Sequence, residues 1–510
     1  MDSKINKSKC FEIFAIISII IFCLSLAPKT LQNDTFYTIK IGEHIIQNGE
    51  IDMMDPFSWH EGLKYTYPHW LYDIIIYLIY SLGGMIGIYI STGILSVILG
   101  ISLYKVNSKL AKSKIVSFIL TIISMYMIRD YIAARAQLVT FILFVIQIFL
   151  MEELINTSKK RYGVGLIIIS ILIANLHVAV WPFTFVLYLP YIAEYIFAIL
   201  EEFVAKKYNK EVKQGEKILI IKKDGTKLLI ITMLICILTG LLTPLGATPY
   251  TYLIKTMQGT TTQNINEHQP MTLINNTDII CAIIVLLATL TFTKAKIRVS
   301  DLFMIGGLTL LMLYSKRQST IFILVGSIIL NRLIYYWLQS CDKDMENKLI
   351  DTLMSKFGIT LLSIFILILS IYMYSPKIGT QYVDEKAYPV EMSDFIINYF
   401  KEEGIDLSEV RIYNEYNYGS YLLYRGIPVF IDSRADLYDP KFNEGKDIFM
   451  DFINSSNLNT YFEDIFEKYD ITHVILYKDS KINMIIENAK LKGYKLLKED
   501  ESFVFYEITK

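Results

Sequence analysis

The sequence predicts a polytopic α-helical membrane protein with about 11 transmembrane helices and a C-terminal extracytoplasmic α/β domain. Three observations predict it. Long apolar runs crowd residues 11–374, whereas 375–510 have the composition of a soluble domain. Across all 510 residues 53% are hydrophobic and 19% charged, against roughly 25% charged in a soluble domain. Basic residues alternate between rich and poor connecting segments. Together these exclude a soluble cytoplasmic enzyme, a disordered chain and a secreted disulfide scaffold. A net charge of -1 gives no sign of a nucleic-acid partner. The five cysteines, Cys10, Cys23, Cys236, Cys281 and Cys341, show no metal or redox spacing.

The first apolar run, Phe11–Ala27, follows Lys4, Lys7 and Lys9. Ser25-Leu26-Ala27 resembles a cleavage site, but Pro28 directly after it blocks cleavage, so the run reads as an uncleaved helix. Further spans are expected near 85–104, 115–128, 137–151, 163–176, 183–200, 228–244, 277–293, 300–314, 319–338 and 357–374. Arg129, Asp130 and Arg135 interrupt one long apolar stretch and mark the turn of a hairpin. The segments at 1–10, 105–114, 159–161, 201–227, 294–298 and 339–356 hold 24 Lys and Arg. The alternate segments at 29–84, 129–136, 177–182, 245–275 and 315–318 hold 8. The rich set belongs on the cytoplasmic side, which puts the N-terminus inside and the C-terminal domain outside. The expected division is a transmembrane domain, 1–375, and an extracytoplasmic domain, 376–510.

All six histidines fall on the expected outer side, which directs the search for chemistry there. The first outer segment, 29–84, is the longest. Asp34 or Thr35 is placed to cap a helix that ends at Asn48-Gly49. Asp55-Pro56 begins a turn. His69-Trp70 opens a second helix, Trp70–Ser81, which Gly83-Gly84 end. At about twelve residues it is short for a span and reads as interfacial, anchored by Trp70, Tyr72, Tyr77 and Tyr80.

The motifs in order are NDTFYTIKIGEHIIQNGEI, DPFSW, PHWLYDIIIYLI, ARAQLVTFIL, ANLHVAV, TPLGATPY, NEHQP, SKRQSTIFIL and, in the tail, NEYNYGSYLLYRGIPVFIDSRADLYD. With this topology the chain resembles the GT-C superfamily, integral-membrane glycosyltransferases that use polyprenyl-phosphate-linked sugars. It resembles in particular a bacterial and archaeal group whose substrates are mostly unassigned. The resemblance covers nearly the whole chain. It departs at His69-Trp70-Leu71, where the family often reads Glu-Trp-Leu, and at Glu267-His268-Gln269-Pro270, where a Glu-Trp-x-Pro pattern is usual.

Transfer from a lipid-phosphate sugar needs a base for the acceptor hydroxyl and positive charge, from cations or a metal, for the departing phosphate. The resemblance implies that Asp34 is that base; the alternative is a helix cap. Asp55 is a second candidate carboxylate, for acceptor or metal, or a plain turn residue. His69 is a candidate for sugar or phosphate, or a polar contact at a helix start. Arg317, beside Lys316, and Arg135 are candidate phosphate ligands or snorkelling cations. Asn175 and His177 end a helix on the outer side and are either substrate contacts or helix–helix contacts. Glu267 and His268 lie in the loop 245–275, either a binding loop or a connector.

The tail alternates predicted elements. Helices are expected at 388–402, 443–453, 459–469 and 480–492. Strands are expected at Val410–Tyr413, Ile427–Ile431, Thr472–Tyr477, 494–498 and 502–508. Asp432, Arg434 and Asp436 follow one expected strand, as a ligand site or as a salt-bridged turn. The layout resembles, at fold level, the outer domain of oligosaccharyltransferase catalytic subunits. The expected function is transfer of a hexosyl or pentosyl unit from a polyprenyl-phosphate donor to a cell-envelope glycan, lipid or protein. The alternatives are a transporter or flippase of lipid-linked glycans and a non-catalytic membrane scaffold. A divalent metal is the one cofactor this chemistry admits.

Overall fold

The computed structural model describes residues 2–209, 215, 217–443 and 445–509. The basic segment expected at 201–227 therefore lies partly outside the described residues. The chain forms two compact units. One comprises Met1–Pro28, Ile90–Pro249 and Ile265–Ile378; the other comprises Lys29–Tyr89, Tyr250–Asn264 and Gly379–Lys510.

The first unit is helical. A helix occupies each expected span range, and among the described residues six helices are long and apolar enough to cross a membrane. They are Lys7–Leu26, Trp70–Ala111, Ala136–Thr157, Val178–Lys207, Lys316–Cys341 and Lys356–Lys377. Shorter apolar helices lie at Lys114–Met127, Gly225–Leu241, Thr277–Phe292 and Val299–Tyr314. Only 11% of the Lys356–Lys377 window is buried, and Ile364, Phe365, Leu367, Ile368 and Ile371 face outward. Such a face is costly in water and suited to lipid. Between helices the unit buries two arginines with two carboxylates. Arg298 contacts Glu152 at 2.6 Å and Asp301 at 2.7 Å, and Arg332 contacts the same two at 2.9 and 2.8 Å. Neutral pairing is what makes these ions tolerable away from water.

The second unit gathers the first loop, residues 250–264 and the tail. Its sheet has four strands in the order Ile412–Tyr413, His473–Tyr477, Phe503–Ile508, Tyr494–Glu499. The first pairing is parallel and the other two are antiparallel. The strand expected at Ile427–Ile431 does not form, although Ile427, Val429, Phe430 and Ile431 are buried. Its backbone is satisfied differently. Phe430 N–H donates to Asn414 Oδ1 at 2.8 Å, and Asn414 Nδ2 donates to the Ile431 carbonyl at 2.7 Å. His60 donates to the Phe430 carbonyl and Trp59 N–H to that of Val429, so side chains and single backbone bonds stand where a neighbouring strand would. The Tyr-rich stretch that follows the first strand forms a helix, Tyr416–Tyr424.

The first-loop helix is Asn33–Asn48, and Gly49 ends it at φ 73. It packs on the Tyr416–Tyr424 helix, with Phe36 set 5.1 Å from Tyr421 and 4.9 Å from Tyr388, ring to ring. The helix from Trp70 breaks at Gly84 (φ 58, ψ -150), a conformation open to glycine, where the sequence expected its stop.

Candidate functional site

Chemistry-bearing side chains gather in two places, one in each unit. In the helical unit they lie at the helix ends that the charge bias assigns to the outside. Arg135 precedes helix Ala136–Thr157 in extended conformation, which turns its side chain off the helix axis. Its Nη1 donates to Glu267 Oε1 at 3.2 Å. Ser315 Oγ donates to the Glu267 carbonyl at 3.3 Å, and Lys316 N–H donates to the Gln269 carbonyl at 3.0 Å. Lys316 Nζ donates to Asn266 Oδ1 at 2.6 Å. The 266–269 turn is thus fastened to the 315–317 turn, which brings Arg317 electrostatically close to both Glu267 and His268. Burial and then the charge of Arg317 push the His268 imidazole down to about 4, so it is neutral at ordinary pH. Burial would raise the Glu267 carboxyl, but Arg135 and Arg317 hold it below its usual range. Arg129 is offset by Asp130 at 3.9 Å and Asp278 at 3.7 Å. Arg135, Lys316 and Arg317 thus gather beside Glu267 at these helix ends.

His177 is 2% exposed and its Nδ1 lies 3.0 Å from Thr140 Oγ1, near the start of the helix that Arg135 precedes. Asn175 Nδ2 donates to the carbonyls of Ile171 and Leu242 at 2.8 and 3.0 Å. Of the sequence candidates in this unit, Arg135, Glu267, His268 and Arg317 come together. His177 and Asn175 are anchored to helix walls.

In the second unit Asp34 is half-buried in the first turn of its helix. The residue at the cap position is Gln32, so the expected cap at Asp34 or Thr35 is corrected. An acidic residue in the first turn is stabilised by the helix dipole without being the cap. Tyr37 and Thr38 follow three and four residues later on the same face. The Tyr37 ring stacks on His69 at 6.4 Å.

Asp55 lies in a different setting. Its side chain is fully buried and accepts from Ser58 N–H at 2.9 Å and Phe57 N–H at 3.2 Å, which forms the turn the Asp-Pro pair predicted. Arg434 Nη1 donates to it at 2.6 Å. The same guanidinium binds Asp432 through Nε at 2.9 Å and Nη2 at 2.7 Å, and its face lies 5.0 Å from the Tyr65 ring centroid. Tyr438 O–H donates to Asp432 Oδ2 at 2.6 Å. Burial would raise the Asp55 carboxyl; the Arg434 charge and the Ser58 bonds outweigh it and hold it below its usual range. This closed network ties the first loop to the tail within the unit. It fits the salt-bridged-turn reading of Asp432 and Arg434. Asp436 accepts from Tyr252 O–H, and so fastens the 250–264 segment.

Sequence reasoning passed over Asp73, which is 0% exposed and sits 4.0 Å from His69 Nδ1. Its signal was the i, i+4 spacing from His69 inside an otherwise apolar helix. Among the described residues no group of three His, Cys, Asp or Glu side chains is arranged to hold a metal.

No protein-family model matches the chain, and no curated protein matches it. Among solved structures it is similar to the crystal structure of ArnT from Cupriavidus metallidurans bound to undecaprenyl phosphate. The identity is 11%, 97% of each chain is covered, and the TM-score is 0.49.

Proposed function

We propose that the chain is a GT-C-type glycosyltransferase. It moves a hexosyl or pentosyl unit from a polyprenyl-phosphate donor to a cell-envelope glycan, lipid or protein acceptor on the outer face of the membrane. The observation that supports this is the gathering of Arg135, Lys316 and Arg317 with Glu267 and His268 at the ends of apolar helices. A lipid phosphate brings its anionic head to that depth while its chain stays in the apolar layer. As the glycosidic bond breaks, negative charge grows on the phosphate, and guanidinium groups stabilise it more in the transition state than in the ground state. His268, neutral beside Arg317, is a hydrogen-bonding group for sugar or phosphate. Asp34 is the proposed base for the acceptor hydroxyl.

The test uses membranes supplied with a polyprenyl-phosphate sugar, following sugar transfer into extractable glycan, lipid and protein. Arg317→Lys keeps the charge and loses the fork, and should lower transfer about tenfold or more. Asp34→Asn keeps size and hydrogen bonding but loses the proton acceptor, and should cost about 10²–10⁴-fold in rate at unchanged protein level. Asp55→Asn should instead lower the amount of folded protein, because it strips a carboxylate from buried Arg434. Wild-type rates in both Arg317→Lys and Asp34→Asn would sink the reading.

A further inference from the structure

We infer that Glu267 competes with the donor phosphate for Arg135 and Arg317: its carboxylate sits with the guanidinium groups that an incoming lipid phosphate needs, and its return helps the spent phosphate leave. That the anion is a lipid phosphate rests on the proposed function; the competition itself does not.

A guanidinium fork offers the same N–H donors to a carboxylate and to a phosphate, so the two are rival ligands for it. Arg135 Nη1 donates to Glu267 Oε1 at 3.2 Å, and the charge of Arg317 also acts on that carboxylate. The Arg135 and Glu267 side chains are 26% and 40% exposed. Water therefore screens the pair, and an anion from outside can reach it. The backbone of the turn is held independently of the carboxylate. The Glu267 carbonyl accepts from Ser315 Oγ at 3.3 Å, and the Gln269 carbonyl accepts from Lys316 N–H at 3.0 Å. Asn266 Oδ1 accepts from Lys316 Nζ at 2.6 Å. These bonds fasten the turn on both sides of residue 267, so its side chain can swing off Arg135 while the turn stays in place. Two further acidic side chains at these helix ends, Asp130 and Asp278, lie against Arg129 instead, at 3.9 and 3.7 Å.

Charge decides the exchange. A polyprenyl-phosphate sugar is a phosphodiester with one negative charge, as a carboxylate has. After transfer the polyprenyl phosphate is a monoester that carries about -1.5 to -2 near pH 7. The two arginines therefore hold the product more tightly than the donor, and tight product binding slows turnover. A carboxylate within reach of the same forks repels the phosphate and replaces it on the cations. It lowers the affinity for both anions, and for the more highly charged product most. Glu267 thus sets how tightly the lipid phosphate is held.

The test is a binding measurement that needs no turnover. Farnesyl phosphate, a short polyprenyl monoester, is titrated by calorimetry into the full chain in lipid nanodiscs, with farnesol as the uncharged control. Glu267→Gln keeps the shape of the side chain and removes its charge. It should bind farnesyl phosphate about threefold to tenfold more tightly than the wild type, and the gain should shrink in about 1 M salt. A merely structural role for Glu267 would give a loss, not a gain. Asp130, 79% exposed, is the control: Asp130→Asn removes the same charge from a solvated position and should change the affinity by less than about twofold. Equal or weaker binding in Glu267→Gln, an equal gain in Asp130→Asn, or an equal gain for farnesol overturns the proposal. If Glu267→Gln is recovered unfolded, Glu267→Asp decides, because it keeps the charge and draws the carboxylate back by one methylene. Tighter binding than wild type then supports the competition, and unchanged or weaker binding overturns it. Failure of the transferase reading looks different: Glu267→Gln binds farnesyl phosphate more tightly, but no sugar moves in the wild type.

Discussion

His60 and Glu415 show how single buried groups in the second unit record its packing as a pH response. His60 is enclosed by Trp59, Phe430 and Tyr469, and its Nε2–H donates to the Phe430 carbonyl at 2.8 Å. Burial pushes it down to about 4. Between its unfolded value near 6.5 and about 4, the unfolded chain takes up a proton that the folded chain refuses. The His60 contribution is therefore complete above 6.5 and is lost as pH falls. Glu415 has the opposite sign. It heads the Tyr416–Tyr424 helix in a reciprocal cap with Tyr418, and burial, then the charge of Asp479, push it up to about 7. From 4.5 to about 7 the folded chain holds a proton that the unfolded chain releases, so stability falls as pH rises through that window. Glu415→Gln keeps the hydrogen-bonding shape and removes the titration. It should raise stability at pH 8 by on the order of 1–2 kcal/mol, after allowance for partial exposure, and change little at pH 4.5. Hydrogen-exchange protection of strand His473–Tyr477 at the two pH values measures this. An equal effect at both would show that Glu415 is ionised in the fold.

At the scale of elements, the crossing of the Asn33–Asn48 helix over the start of the Trp70 helix positions the first-loop chemistry. In a free helix, glycine to alanine gains about 1 kcal/mol. At Gly42 the sign should reverse, because an added Cβ would overlap both the Asp73 carbonyl and the Tyr77 Cβ. Gly42→Ala should destabilise the second unit by about 1–3 kcal/mol, whereas Gly306→Ala, with open space around it, should not destabilise the protein. A neutral or stabilising Gly42→Ala would mean that the helices do not approach this closely. The element pattern also shows what a sequence can disclose. Helix ranges follow from apolar runs, and both glycine stops, at Gly49 and Gly84, are local chemistry. The 427–431 segment carries every local sign of a strand. It is not one, because its backbone is met by the side chains of Asn414 and His60 and by single backbone bonds from Trp59 and to Leu422, and periodicity carries no information about such partners. Asp55 and Arg434 illustrate the same limit at the site. Each residue type suggested chemistry, but their pairing across 379 positions is a fact of packing.

For the whole molecule the open quantity is orientation, which length and apolarity leave undecided. Among the described residues six helices are long enough to span and four apolar helices are shorter, so helix count alone does not fix the side on which the tail lies. The charge bias does choose: 24 basic residues in one set of connecting segments against 8 in the longer set. It predicts Lys217 inside and the tail outside. The proposed function depends on that choice, because a polyprenyl-phosphate sugar used at the outer face meets only the groups exposed there. Alkaline phosphatase, which folds only outside the cytoplasm, is therefore fused in turn at Lys217 and after Lys510, the latter lying outside the described residues. The Lys510 fusion should be active and the Lys217 fusion silent, and a cytoplasm-active reporter should give the reverse. Replacing Lys206, Lys207, Lys222 and Lys223 with Gln should weaken the preference, since basic residues near span ends set orientation. An active fusion at Lys217 with a silent one at Lys510 would put Arg135, Arg317 and His268 on the cytoplasmic side. A donor presented at the outer face would then be out of their reach, and the assignment of the cation cluster to its phosphate would fall with the topology.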